Sequence, residues 1–254
     1  MINIGLLGFG TVGQGVYRIL QEKGEDLKVL LGREIEVKSI LVRDLYKERE
    51  IQVPLSKLTL NPEDIVSDED IDIIVEVTGD VDLSYRIISK AFERGKHVVT
   101  ANKAVVSAYF EELSHLAEEN GVFFLYEASV AGGIPVLKPL KDQIRLNEIT
   151  RIQGILNGTC NYILTRMTHE GLAYGDVLKE AQRLGYAEAD PSSDVEGIDT
   201  MRKLRIMSTL ALGASITEDD IICDGIDKVS ALDIDLLRDK GMKVKLIAEA
   251  REVE

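Results

Sequence analysis

A run of apolar residues from Ile2 to Leu7 ends in Gly8-Phe9-Gly10-Thr11-Val12-Gly13, and Val12, Val16, Ile19 and Leu20 then recur at helical spacing. Strand, glycine turn and helix in direct succession constrain this chain more than its composition does. Gly8 permits a tight turn, Gly10 lets a backbone approach a pyrophosphate, and Gly13 allows the helix to close on the strand. The N-terminus of the helix then presents its free N–H groups to phosphate. The placement predicts a dinucleotide site rather than a structural glycine turn.

The pattern continues as alternating strands and helices. A helical segment through Leu27 to Leu31 precedes a strand, Ile35 to Val42, which is followed by Arg43-Asp44. An arginine there suits the 2′-phosphate of NADP and an aspartate suits the ribose hydroxyls of NAD, so both remain open, as does plain surface charge. Asp72 to Val77 is a further buried strand closing in Thr78-Gly79, followed by a helix to about Gly95 with Ile87, Ile88, Ala91 and Phe92 inward. The strand His97 to Thr100 ends in Ala101-Asn102-Lys103. Strand ends in a parallel sheet line the cofactor crevice, which gives Thr78 and Lys103 a physical reason to face ligand. After a helix to Asn120 and a strand, Val122 to Tyr126, the adjacent glycines of Glu127-Ala-Ser-Val-Ala-Gly-Gly-Ile-Pro135 suit either a hinge or a ring of carbonyls around a monovalent cation. Spacing alone favours the hinge.

From Ile149 the alternation changes character. Ile149 to Leu156 is predicted as a strand of a new sheet, Asn157 to Tyr162 opens a helix, and a second helix runs from Gly175 to Leu184. The stretch Gly185 to Leu204 follows, in which Ser193 and Glu196 have the form of a capping box, Asp194 adds charge to the first turn, and Gly213 supplies the stop. Asp199 and Lys203 share one helical stripe with Ile206 and Leu210. An exposed ion pair is the ordinary explanation of such spacing. At the head of an apolar face, with Glu188 and Asp190 upstream, the pair instead predicts an acidic pocket with one amine, suited to a small molecule carrying its own ammonium group. An acidic loop (Asp219, Asp220, Asp224), a helix near Leu232 to Lys240 and a strand, Lys243 to Ala250, complete the chain.

These elements predict an α/β protein: a Rossmann-type doubly wound parallel sheet over residues 1–130, then an α+β substrate domain over 131–254, to which the resemblance described below adds a dimerisation role. A net charge of -14 argues against nucleic-acid or anionic-membrane partners. No apolar run approaches a membrane span, and the two cysteines, Cys160 and Cys223, have no metal-ligand spacing, so a reducing cytoplasm is expected.

Taken in order, Gly8 to Gly13, Ala101-Asn-Lys103, Tyr126 to Pro135, Asn157 to Thr165 and Gly185-Tyr-Ala-Glu-Ala-Asp-Pro191 resemble homoserine dehydrogenase over nearly the whole length. The resemblance implies NAD- or NADP-dependent interconversion of L-homoserine and L-aspartate 4-semialdehyde. Lys203 matches the family's proton donor and acceptor, Glu188 and Asp199 its substrate carboxylates, and Lys103 a position between substrate and nicotinamide. Phe9, Thr11, Val12, Arg43 and Gly185 fall at cofactor contacts. Glu127, Val130, Gly132 and Ile134 match a sodium site built largely from carbonyls, which replaces the hinge reading. A homodimer through the sheet containing Ile149 to Leu156 is also implied. The expectation from these residues is a protein without a regulatory domain of the ACT type and, with Glu254 directly after the last strand, without the family's closing loop and helix. The expectation is therefore a short form, the alternative being a truncated or non-catalytic nucleotide-binding protein of the same fold.

Overall fold

Strands that are apolar without alternation pair in parallel when helices carry the chain back across the sheet. In the computed structural model, which describes residues 1–252, the chain divides into two units, Met1–Gly133 and Ile134–Glu254. The first contains β1 (Ile2–Leu7), α1 (Thr11–Glu22), α2 (Gly24–Leu31), β2 (Ile35–Leu41), β3 (Leu58–Thr59), α3 (Glu63–Val66), β4 (Ile73–Glu76), α4 (Val81–Glu93), β5 (His97–Thr100), α5 (Lys103–Ala108), α6 (Phe110–Glu119) and β6 (Phe124–Leu125). Its six strands run parallel in the order β3-β2-β1-β4-β5-β6. The order reverses at β1, which lies between β2 and β4, and the carboxyl ends of β1 and β4 therefore flank the crevice where such sheets bind ligand.

Leu6, Leu7, Ile40, Ile74 and Val98 from the strands are buried, as are Ile87, Ile88, Ala91 and Phe92 of α4, the face the sequence predicts. The face of α1 differs. Gly13 and Tyr17 are its buried residues, whereas Val12 and Ile19 are exposed. Close approach at Gly13 turns that side of the helix onto the sheet, so of the predicted apolar stripe Val16 and Leu20 pack against the core while Val12 and Ile19 face outward.

The second unit contains α7 (Leu137–Gln143), β7 (Arg151–Gly154), α8 (Gly158–Glu170), α9 (Tyr174–Arg183), α10 (Ser192–Val195), α11 (Ile198–Leu212), α12 (Ala231–Arg238) and β8 (Ala248–Arg251). Cys160, Ile163, Leu164 and Met167 of α8 meet Val177 and Ala181 of α9 together with Val195, Ile226 and Ile234 in one core. β7 and β8 form an antiparallel pair. Both strands are shorter than the sequence predicts. The Leu156 carbonyl accepts a hydrogen bond from a lysine side chain instead of a neighbouring strand. Lys245 donates to Asn161 Oδ1 and Thr165 Oγ1 on α8, and Val244 and Leu246 pack on the core, so residues 243–247 lie outside the ladder.

The capping box at Ser193 and Glu196 does not form. Ser193 lies inside α10, and α11 begins only at Ile198, after Gly197 has taken a left-handed φ of 89°. The cause is tertiary: Ile226 N donates to Val195 O at 2.7 Å, which holds the 223–226 loop against this turn. Gly213, also left-handed, ends α11 as predicted.

The two thiols are free, Cys160 buried and Cys223 exposed. Burial, with the negative charges of Asp194 and Asp199, pushes the Cys160 thiol up to about 12. Since the thiolate is the reactive form, iodoacetamide at neutral pH should label Cys223 in the native protein and Cys160 only on unfolding. Peptide mass spectrometry reads the order, and native labelling of Cys160 would contradict the burial that keeps it protonated.

Candidate active site

In the first unit, the three glycines after β1 serve three different needs. Gly8 has φ +100°, and a Cβ there would lie 2.9 Å from the Val77 carbonyl oxygen. A Cβ on Gly13 would lie 2.1 Å from the Gly8 carbonyl oxygen, so the helix can touch the turn only without a side chain. A Cβ on Gly10 would meet nothing within 4 Å. That is the open cradle a pyrophosphate needs, at a helix start with no side-chain cap on its N–H groups. Thr11 is exposed beside it and Val12 is 55% exposed. The Phe9 ring packs edge-on against Tyr17, 5.7 Å between centroids, and so belongs to the core. These residues fit a bound dinucleotide. Beyond β2 both Arg43 and Asp44 are exposed, but the Asp44 carboxylate accepts from Tyr46 N at 2.8 Å and so closes its own loop.

Between the carboxyl ends of β4 and β5 lies a polar network the sequence reading does not include. Glu76 Oε1 accepts from Thr78 N and Thr78 Oγ1, both at 2.7 Å, while Oε2 accepts from Thr100 Oγ1 at 2.7 Å. Asn102 caps α5 by accepting from Ala104 N and Val105 N, and its amide nitrogen donates to Ser84 Oγ at 3.2 Å. Lys103 is thus the first residue of a capped helix rather than a loop lysine. The available signal was the lone carboxylate ending an apolar strand, just before Thr78-Gly79.

In the second unit, Lys203 Nζ lies 2.6 Å from Asp199 Oδ2, with side chains 16% and 3% exposed. The same ammonium donates to the Leu156 carbonyl at 2.9 Å. Asn157 completes the arrangement. Its Oδ1 accepts from Cys160 N, capping α8, and its amide nitrogen donates to Asp199 Oδ2 at 2.8 Å and Asp194 Oδ1 at 2.7 Å. The pair is therefore an oriented, largely desolvated amine and carboxylate, not the exposed helix pair of the ordinary explanation. Local spacing presents Asn157 as a helix opener and as the head of the Asn157 to Thr165 motif, and it hides the bond to Asp199 because that partner lies 42 residues away in sequence.

The other predicted residues are more dispersed. Glu188 is exposed, its backbone carbonyl accepts from Gln182 Nε2, and among the described residues its carboxylate makes no hydrogen bond to Asp199. Gly185, φ 78°, follows α9, where its N–H donates to Gln182 O and Tyr186 N donates to Ala181 O, so local helix closure already requires a glycine. Glu127 begins a short 3-10 turn, Val130 is fully buried, and Ala131 and Gly132 have φ of 60° and 57°. Gly132 and Ile134 are exposed. Among the described residues no group of three His, Cys, Asp or Glu could hold a metal, and no helix is long and apolar enough to cross a membrane.

The family model described as "Homoserine dehydrogenase, NAD binding domain" matches residues 8–127, and the one described as "Homoserine dehydrogenase" matches residues 135–254. A homoserine dehydrogenase of Synechocystis sp. is 47% identical over 249 residues, covering 98% of this chain and 57% of that protein. The crystal structure of a homoserine dehydrogenase from Thiobacillus denitrificans superposes with a TM-score of 0.93 at 43% identity, covering 100% of this chain and 58% of that one. A putative homoserine dehydrogenase from Archaeoglobus fulgidus gives a TM-score of 0.86 at 40% identity, covering 99% of this chain and 81% of that one. This chain thus spans somewhat over half the length of the curated relatives it matches.

Proposed function

The chain belongs to the homoserine dehydrogenase family, and on that premise we propose that it interconverts L-homoserine and L-aspartate 4-semialdehyde using NADP or NAD. The observation that carries this reading is the buried Lys203–Asp199 pair, oriented by Asn157 and the Leu156 carbonyl. The nicotinamide of the dinucleotide supplies or accepts the hydride. In the reductive direction Lys203 Nζ gives a proton to the carbonyl oxygen, and in the oxidative direction it takes the proton back. Asp199 holds that ammonium at the start of α11. Asp199 and Glu188 bind the substrate's ammonium through charge-assisted hydrogen bonds. Lys103 is assigned to the nicotinamide end by its match to the family's position, and would act there on the bound coenzyme. Gly8 to Gly13 hold the pyrophosphate, with Thr11, Val12, Thr78 and Gly185 as further nucleotide contacts. Loss of reduced-nicotinamide absorbance on adding L-aspartate 4-semialdehyde is the direct test. No oxidation with either coenzyme would refute the proposal.

Arg43 is the proposed basis for a preference for NADP. Its guanidinium is exposed just past β2, and the Asp44 carboxylate beside it is engaged with Tyr46 N. Arg43→Ala should weaken NADP binding about tenfold and leave NAD binding nearly unchanged, the scale of one charge-assisted hydrogen bond. Equal NADP affinity in mutant and parent, by calorimetric titration, would remove Arg43 from coenzyme choice.

Carbonyls at Glu127, Val130, Gly132 and Ile134 are proposed to hold a sodium ion. The successive left-handed residues Ala131 and Gly132 support this, because Ala131 bears a strain that an ordinary turn does not require. We place the protein in the cytoplasm as a homodimer joined through the β7–β8 sheet. One side of that sheet carries Ile152, Gly154, Ala248 and Ala250, while Arg151, Gln153 and Glu249 form an exposed polar network on the other. Light scattering at micromolar concentration should give a dimer mass, and a monomer mass would refute the assembly.

A further inference from the structure

Glu76 is fully buried at the end of a central strand, and the donors that meet it are a backbone N–H and two hydroxyls. Burying a carboxylate is costly, and apolar replacement of buried ionic groups is often neutral or stabilising. Fold stability is therefore a weak reason for a glutamate at this position. Its geometry offers a better one. One carboxylate oxygen serves Thr78, in the loop between β4 and α4, and the other serves Thr100, at the end of β5. Thr100 Oγ1 in turn accepts from Asn102 N at 3.0 Å. A second route runs from Thr78 Oγ1 to Ser84 Oγ at 3.1 Å and on to the Asn102 amide. Asn102 caps the helix that begins with Lys103. Two acceptor oxygens and no donor are what this junction requires. An amide or hydroxyl would bring a hydrogen of its own to one side.

We infer that Glu76 is a positioning residue: it ties the two loops at the carboxyl ends of β4 and β5 into one rigid wall and thereby fixes the pose of the nicotinamide ring and the placement of Lys103. The inference rests on the reading of the first unit as the site of a nicotinamide dinucleotide. β4 adjoins β1 at the strand-order reversal, with Leu7 paired to Glu76, so this wall borders the same crevice as the Gly8 to Gly13 turn. The turn grips the pyrophosphate, which leaves the ring end to the wall.

The test separates the two ends of the ligand. In Glu76→Gln the dissociation constant for NADH should rise about tenfold, while that for ADP-ribose, which lacks the nicotinamide, should stay within about twofold. NADPH against 2′-phospho-ADP-ribose gives the matching pair for the phosphorylated coenzyme. Thr100→Val is the second variant, since it removes only the hydroxyl joining Glu76 to the second loop, and it should show the same split. It decides the question if Glu76→Gln does not fold. Equal weakening of both ligands would make Glu76 a purely structural residue and overturn the inference, as would no change in either. A parent chain that binds these ligands but oxidises no coenzyme with the semialdehyde would refute the proposed reaction, and the split in affinities would still decide the role of Glu76.

Discussion

Lys203→Ala is expected to lower turnover by about 10²- to 10⁴-fold in both directions while leaving coenzyme affinity nearly intact, because it deletes proton transfer and no nucleotide contact. The structure adds a cost in stability. Asp199 is 3% exposed on its side chain and shares its Oδ2 between Lys203 and Asn157, so the alanine variant leaves a buried carboxylate with one donor fewer. Breaking a buried pair in this way destabilises by roughly 3–5 kcal/mol in comparable cases. Lys203→Arg separates the two effects. It keeps a cation near Asp199 but not a group that gives up a proton at neutral pH, so it should retain more stability than alanine and recover little turnover. Single-turnover kinetics on folded protein, with thermal midpoints alongside, provides the comparison. A loss of less than about tenfold in Lys203→Ala would exclude this lysine from the chemistry.

Gly13→Ala is the second large effect. The added Cβ would stand 2.1 Å from the Gly8 carbonyl oxygen, and the obstacle is backbone rather than a side chain able to swing aside. α1 must then move away from β1, which withdraws its N-terminal N–H groups from the phosphates. Coenzyme affinity should fall by about 100-fold or more, with a stability loss of about 1–3 kcal/mol from overpacking. Gly10→Ala is the informative contrast, since a Cβ there meets no protein atom within 4 Å. Its thermal midpoint should match the parent's while affinity drops, because the methyl occupies space reserved for ligand. Coenzyme affinity in Gly13→Ala within about fivefold of the parent would show that the helix start does not bind phosphate.

The contrast between these two glycines also shows what the sequence could reveal. Motifs whose meaning is local were legible: the strand and glycine turn at Ile2–Gly13, the buried face of α4, the left-handed stop at Gly213, and the shared stripe of Asp199 and Lys203. The misread features depend on distant partners. Ser193 and Glu196 have the spacing of a capping box, yet the 223–226 loop bonded to Val195 decides where α11 begins. Lys243 to Ile247 have a strand-like composition, but Lys245 is drawn to Asn161 and Thr165 on α8. Glu76 lies within the predicted strand Asp72 to Val77, where nothing local gives it a role. Only the pairing of β4 with β5 brings Thr100 to its carboxylate.

Asn157 has a further consequence, for the protein's chemical ageing. It precedes Gly158, and in a flexible chain an asparagine before glycine readily cyclises and deamidates, because nothing hinders the next backbone nitrogen from attacking the side-chain carbonyl carbon. In the folded protein both ends of that amide are engaged: the oxygen by Cys160 N, the nitrogen by Asp194 and Asp199. The backbone is extended at φ -122° and ψ 120°, and Gly158 is already helical. The fold thus shelters a bond that the unfolded chain would lose. Deamidation would set a third carboxylate beside Asp194 and Asp199 and remove the donor that orients Asp199, damage that refolding cannot reverse. Storage lifetime should follow the fraction of molecules in which α8 has opened, rather than the temperature dependence of the reaction itself.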